Sequence, residues 1–258
     1  MWERQRNSVR TAGIDEGFAI NPLLNSDSLR SAFERSGRVE IRDFLAPGQA
    51  ESLRRHLIDR EDWRLVLNAG SGVYEIPRDA FASLSSEQKR ELDKRVIKAA
   101  RDGFHYRYES IRVPDAESKR ESNGTLLDSF VSFLSSEPVL RLVRAVTGAV
   151  DIGFADGQAT AYSSGHFLTR HDDDAEGKER HAAFVLGLQP GWRADWGGLL
   201  MFHGEDGNIE EAFTPAMGAL RLFRVPAPHS VSYVTPFAPE PRLSVTGWFR
   251  AAPGQSMA

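Results

Sequence analysis

Up to about residue 150 the apolar positions of the chain recur mostly every three or four residues, the spacing of amphipathic helices. Beyond it they fall into short runs broken by glycine, proline and aspartate, the pattern of a β-rich segment. In the first half, DSLRSAFERSG predicts a helix capped by Asp27 and stopped at Gly37. APGQAESLRRHLI predicts another, after a short strand-like RVEIRDFL. Ser86 to Ala100, SEQKRELDKRVIKAA, is a strongly amphipathic stretch. GTLLDSFVSFLSSEPVLRLVRAVTG reads as two helices, parted at Ser135–Glu137 before Pro138 and closed by Gly148.

In the second half the candidate strands are QATAYSS, HFLTRHD, HAAFVLGLQ, GGLLMFHG, EEAFTP, ALRLFRV, HSVSYVT and RLSVTGWFR. Short strands with turn signals between them predict a closed or double-sheet antiparallel architecture such as a jelly roll. The fold class expected is α+β: a double-stranded β-helix core (151–250) with an N-terminal helical layer (27–150) packed on the sheet. No Pro/Ser-rich linker parts the halves, so 27–258 reads as a single domain and 1–26 as a flexible N-terminal extension.

Composition removes several classes of chemistry. There are 0 cysteines, so disulfides, thiolate metal ligands and a cysteine nucleophile are excluded. Arginines near the N-terminus have no continuous apolar run behind them, which argues against a signal peptide, and no segment approaches the roughly 18 apolar residues of a membrane span. A cytoplasmic protein with no membrane partner is the expectation. The net charge of −4 and pI near 6.0 give no overall attraction to nucleic acid. Arg54, Arg55, Arg60 and Arg64 read as a solvated helix face.

The densest candidate chemistry lies in LTRHDDDAEGKERH. On an extended strand, positions two apart project from one face, so His171 and Asp173 share a face that Asp172 does not. A catalytic metal needs a third protein ligand, and VPAPHSVSYV offers His229 at the head of an alternating run. Two imidazoles and one carboxylate, with positions left open, suit non-haem Fe(II). Arg242 opens the last strand and shares its face with Ser244, Thr246 and Trp248. Its planar fork would pair with the carboxylate of an acidic cosubstrate. His166, His181 and His203 lack partners at such offsets and read as structural, Asp172, Asp174 and Glu176 as a solvated rim, and Trp192 and Trp196 as packing. Gly197–Gly198 reads as a tight turn.

At this point the sequence resembles the prolyl-hydroxylase-like branch of the Fe(II)/2-oxoglutarate dioxygenases. The likeness is carried by Tyr162 with His171 and Asp173, Trp192 with GGLL (Gly197 to Leu200), PHSV (Pro228 to Val231) and RLSVTGWF (Arg242 to Phe249). It also takes in FERSGRVEIRDFL and FHYRYESI, which look like that branch's helical lead-in. The resemblance implies that His171, Asp173 and His229 bind Fe(II) and that Arg242 binds the far carboxylate of 2-oxoglutarate. Tyr162, Thr246, Trp248 and Leu200 would line the cosubstrate pocket. O2 would be the second cosubstrate, and a C–H bond would be hydroxylated as 2-oxoglutarate gives succinate and CO2. The substrate so implied is a prolyl residue of a protein or peptide, with the translation machinery as one source. A free amino acid or other small metabolite is the alternative. More distant readings are a cupin-type metal enzyme and a non-enzymatic jelly-roll binding module. One position departs from the pattern: Gly187 stands where close prolyl hydroxylases often carry a tyrosine. Oligomeric state is left open.

Overall fold

The computed structural model describes residues 17–69 and 72–252. The helices are α1 (Ser26–Ser36), α2 (Gln49–Ile58), α3 (Arg78–Ala82), α4 (Ser86–Ala99), α5 (Glu117–Asn123), α6 (Leu126–Leu134) and α7 (Glu137–Thr147). The strands of the first half are β1 (Arg38–Ile41), β2 (Arg64–Ala69), β3 (Gly72–Pro77) and β4 (Tyr106–Arg112). Those of the second half are β5 (Ile152–Ala155), β6 (Gln158–Tyr162), β7 (Phe167–His171), β8 (Arg180–Gly187), β9 (Leu200–His203), β10 (Ile209–Phe213), β11 (Leu220–Arg224), β12 (His229–Val231) and β13 (Arg242–Ala251).

Local chemistry explains most boundaries. Helix α1 is capped by Asn25 and not by the expected Asp27: the Ser28 N–H donates to Asn25 Oδ1 at 2.9 Å, while Asp27 sits in the first turn, where it complements the helix dipole. Gly37 ends α1 with φ 70, as a left-handed C-cap should. α6 and α7 part where expected, with Pro138 in the first turn of α7 and Gly148 at its end.

All eight strands expected after residue 150 are present, as β6 to β13. The half expected to be helical also supplies strands beyond β1, namely β2, β3 and β4. Tyr106–Arg112, taken for helical lead-in, is a strand in the middle of the sheet. Alternation in YRYESIR is short and mostly polar, so it reads weakly in sequence. Pairing with neighbours on both sides decides it.

The strand order is β1-β11-β8-β13-β6-β4-β7-β12-β9-β10, and every pairing is antiparallel. β4 carries the sheet across its fold, pairing with β6 through Glu109–Arg112 and with β7 through Tyr106–Arg107. The two ends of the order also meet. Arg38 on β1 donates to Glu211 at 2.6 Å and to Glu210 at 3.0 Å, both on β10. The curled sheet with its helices is the α+β jelly roll expected.

Alternation along the strands divides two interiors. One face of β6, β8, β11 and β13, including Ala161, Phe184, Leu222 and Val245, joins α1, α2, α6 and α7 in the main core around Phe33, Leu53, Phe130 and Val139. The other face turns Ala183, Val185, Phe223 and Trp248 inward, toward the space between the strand layers. Within the stretch expected as an extension, Phe18 packs on Phe130 at 5.2 Å between ring centroids and Ile20 bridges to Leu45. Residues 1–16 of that stretch lie outside the described residues. Among the described residues no helix is long and apolar enough to cross a membrane.

His166 closes the turn between β6 and β7: its Nδ1 accepts the Ser163 N–H at 3.1 Å. It is 6% exposed, and burial, with Arg107 nearby, pushes its pKa down to about 4. The unfolded imidazole titrates near ~6.5. Between these values the unfolded chain takes up a proton that the folded one refuses. Stability is therefore expected to fall as pH drops from ~6.5 toward 4, by up to about 3 kcal/mol from this residue, and then to level off. Urea unfolding of wild type and His166→Asn across that range checks it; the variant should show the flatter profile.

Candidate active site

β7 ends at His171, and the chain leaves the sheet directly afterward. Asp173 has φ 64, so it reaches its place through a left-handed residue and not by continuing the strand as the alternation argument supposed. Aspartate tolerates this region better than bulkier side chains. The backbone there is held by Arg180, whose Nη1 donates to the Asp173 carbonyl at 2.9 Å, and by the Ala227 N–H, which donates to the Asp172 carbonyl at 3.2 Å. Asp172 and Asp174 face solvent, as expected.

His229 opens β12 directly opposite His171, and antiparallel pairing sets the two imidazole centroids 4.1 Å apart. The Asp173 carboxylate completes the group: Oδ1 lies 3.3 Å from His171 Nε2 and Oδ2 lies 3.5 Å from His229 Nε2. One ligand atom from each of the three residues falls within 4.8 Å of the others. Each imidazole donates its Nδ1–H to a backbone carbonyl, His171 to Thr169 at 3.0 Å and His229 to Ala227 at 2.8 Å. These bonds leave both Nε2 lone pairs free and aimed at the same point.

The electrostatics agree with a metal-binding set. Burial works to raise the Asp173 carboxyl, but the adjacent His171 and His229 outweigh it and hold the group below the usual carboxylate range. Burial, then His171, pushes His229 down to about 4. The carboxylate is thus ionised and the His229 imidazole neutral at ordinary pH, the forms that ligate a cation.

These three residues line one end of a cavity of about 240 Å³ that also holds Tyr162, Leu200, Arg242, Thr246 and Trp248. All eight residues singled out in the sequence therefore meet in one space. Arg242, 3% exposed, pairs in register with Tyr162 and lies 5.1 Å from the centre of its ring. Its Nη1 donates to Ser244 Oγ at 3.4 Å, its Nε has no partner, and no carboxylate pairs with it among the described residues. Burial pulls its pKa down to about 10. Trp248 is fixed through its backbone, whose N–H donates to Asp156 Oδ1 at 3.0 Å while Arg250 Nη1 holds Oδ2 at 3.1 Å.

Several residues in the cavity were not singled out in the sequence. Arg180 stacks over Trp248 at 3.6 Å. Phe104, Tyr106, Tyr108 and Tyr162 form an aromatic series with centroids 5.4, 5.7 and 5.4 Å apart, and Phe104 also lies 5.4 Å from the His171 ring. The i, i+2, i+4 spacing of Phe104, Tyr106 and Tyr108 was the signal available for them. His181 pairs with Asp151 at 2.9 Å and His203 bonds Ser230 at 2.7 Å, so both are engaged elsewhere, as is His166. Trp192 packs edge-on against Trp196 and donates Nε1–H to the Gly197 carbonyl at 2.8 Å.

The sequence model of the 2OG-Fe(II) oxygenase superfamily matches residues 157–250, the span that supplies the His–Asp–His group and Arg242. Prolyl 3-hydroxylase OGFOD1 of Mus musculus is 34% identical over 101 residues, which are 36% of this chain and 18% of that protein, so the chain matches less than a fifth of that relative's length. Among solved structures, a Pseudomonas putida prolyl-4-hydroxylase aligns with TM-score 0.55 at 20% identity, covering 88% of this chain and 100% of the other. A Trichoplax adhaerens prolyl hydroxylase, in complex with a peptide fragment of the hypoxia inducible factor oxygen degradation domain, aligns with TM-score 0.57 at 16% identity, covering 88% and 89%. Residues 157–250 are thus similar in sequence to the 2OG-Fe(II) oxygenase superfamily, and the two prolyl hydroxylase structures share the fold.

A ligand that binds only the folded state raises its stability, by about 2.7 kcal/mol at a hundred times its dissociation constant. Fe(II) under anaerobic conditions, or Mn(II) in its place, should therefore raise the melting temperature of the wild-type protein. His229→Ala and Asp173→Ala should each abolish that rise while remaining folded, as checked by circular dichroism.

Proposed function

We propose that the chain is an Fe(II)/2-oxoglutarate-dependent dioxygenase that hydroxylates a C–H bond of a prolyl residue in a protein or peptide. The observation that carries this reading is the pairing, within one cavity, of a two-imidazole, one-carboxylate group with a buried arginine that has no acidic partner. A buried guanidinium without an anion is costly, and a cosubstrate carboxylate would satisfy it. In this reading 27–258 forms one domain, since helices and sheet share the main core.

His171, Asp173 and His229 would hold the metal, and their donor set leaves positions open for a chelating keto acid and for oxygen. Bound Fe(II) supplies the redox chemistry that couples decarboxylation of 2-oxoglutarate, giving succinate and CO2, to hydroxylation. The chain's own part is to orient and to exclude water. Arg242 takes the far carboxylate through its fork, Tyr162 and Thr246 bound the cosubstrate laterally, and Leu200 and Phe223 keep that end apolar. At the mouth, Phe104, Arg170, Arg180 and Pro228 border a wider space of about 620 Å³. An open mouth beside an aromatic series suits an extended peptide bearing a proline ring, and relatives named as prolyl hydroxylases support that class. Proteins of the translation machinery are the first substrates to screen.

Metal-free protein given Fe(II) and 2-oxoglutarate without oxygen should develop the weak visible charge-transfer band of a chelated keto acid. His171→Ala should lose it. Arg242→Lys, which keeps charge but not the fork, should need roughly tenfold more 2-oxoglutarate. No band in folded, iron-loaded wild type would overturn the assignment. For the substrate class, peptides from cells with and without the enzyme are compared for a one-oxygen gain on proline. Absence of any enzyme-dependent site would favour a free amino acid or small metabolite.

A further inference from the structure

A second arginine, Arg221, pairs across the sheet with Val185, one of the residues that line the cavity. Along β11, Leu220 and Leu222 enter the main core, while Arg221 and Phe223 turn to the opposite face; Phe223 lines the cavity itself. Arg221 is 4% exposed. Its Nη2 donates to Glu40 Oε2 and to the Thr214 carbonyl, both at 2.7 Å, so one corner of the guanidinium is fully engaged. Its Nε has no partner, and its Nη1 donates to no acceptor among the described residues.

That free edge points at Gly187. A Cβ on Gly187 would collide with the Ala216 carbonyl and would stand 3.0 Å from Arg221 Nη1. Glycine is required there, because the Ala216 backbone takes the place of a side chain and the Arg221 guanidinium lies against it. Gly187 shares its strand face with Val185, which lines the cavity, and pairs across the sheet with Ser244, whose Oγ accepts from Arg242 Nη1. Both guanidiniums therefore border the corner formed by Gly187 and Ser244. They are near enough that Arg221, after burial itself, adds to the forces lowering the proton affinity of Arg242.

Of the two buried guanidiniums only Arg221 has a carboxylate partner among the described residues, Glu40, which leaves an excess of positive charge and unpaired N–H groups beside the cavity. Such groups are costly to bury unless an anion meets them. We infer that Arg221 is a second anchor for the far carboxylate of the cosubstrate, bonding through its free Nη1 edge while Glu40 and Thr214 hold its other corner in place. The inference rests on the 2-oxoglutarate reading above and adds to it a residue that the sequence did not single out.

The test uses the full chain, loaded with Fe(II) without oxygen, and follows the charge-transfer band during titration with 2-oxoglutarate or with 2-oxopentanoate, a keto acid of equal length that lacks the far carboxylate. Arg221→Gln should raise the half-saturating 2-oxoglutarate about tenfold, the range of one charge-assisted hydrogen bond, and leave 2-oxopentanoate unchanged. Arg221→Lys should recover part of the loss. Glu40→Gln breaks the same ion pair but keeps the cation, so its affinity for 2-oxoglutarate should hold or tighten. If Arg221→Gln leaves 2-oxoglutarate binding unchanged, or if both variants weaken the two keto acids alike, the arginine only supports the fold and the inference fails. No band in the wild type would instead remove the 2-oxoglutarate reading itself, so the two failures are distinguishable.

Discussion

The register of β12 on β7 is the constraint on which the site depends. His229 sits opposite His171 because Val231 pairs at Leu168, with one irregularity between the two pairs. A slip of one residue would turn each side chain to the other face of its strand and carry one imidazole out of the cavity. The register is secured on both sides. β12 also pairs with β9, and the interior residues Leu200, Phe202 and Val231 bury apolar surface that a slip would expose. The meeting of the two imidazoles is here a consequence of sheet packing, with backbone carbonyls at Thr169 and Ala227 then fixing how each ring is turned.

Charge is distributed along the cavity with the same economy of means. One end carries the Asp173 carboxylate between two imidazoles, and the other carries Arg242, with Arg221 and its partner Glu40 on the neighbouring strands. A molecule that bears electron-rich oxygens at both ends, one set for a metal and one for guanidinium, fits this division, whereas a monoacid leaves the cationic end unmet. The aromatic series from Phe104 to Tyr162 forms a wall connecting the mouth with the interior.

That wall also shows why the N-terminal half is more than a support. Tyr106 and Tyr108 come from β4, which spans β6 and β7 and is itself flanked by β2. The helices α6 and α7 back the other side of the main sheet and leave its inner face free. The candidate metal-binding group thus lies wholly on the jelly roll, while the preceding half supplies Phe104, Tyr106 and Tyr108 to the wall of the cavity.

Strong periodicity and special residue types made much of this legible in the chain. The eight short runs after residue 150 became β6 to β13, the breaks at Gly37, Ser135–Glu137 and Gly148 fell where expected, and His171, Asp173, His229 and Arg242 came together. Each of those readings needs only local pattern or the side chain's own chemistry. What the sequence left undecided depends on neighbours distant in the chain. Strands β2 to β4 alternate too weakly to be read without their partners, and Asp173 reaches the imidazoles through a left-handed turn held by Arg180 and not by strand alternation. Arg221 looks like any strand arginine until the fold sets its guanidinium beside Gly187 and near enough to Arg242 to lower that group's proton affinity. The sequence by itself determined which elements form and which side chains can bind a metal or an anion, because those are properties of single residues and their spacing. Only the tertiary structure decided which of these groups share a cavity and which are left unpaired inside it, because burial and register are properties of the closed sheet.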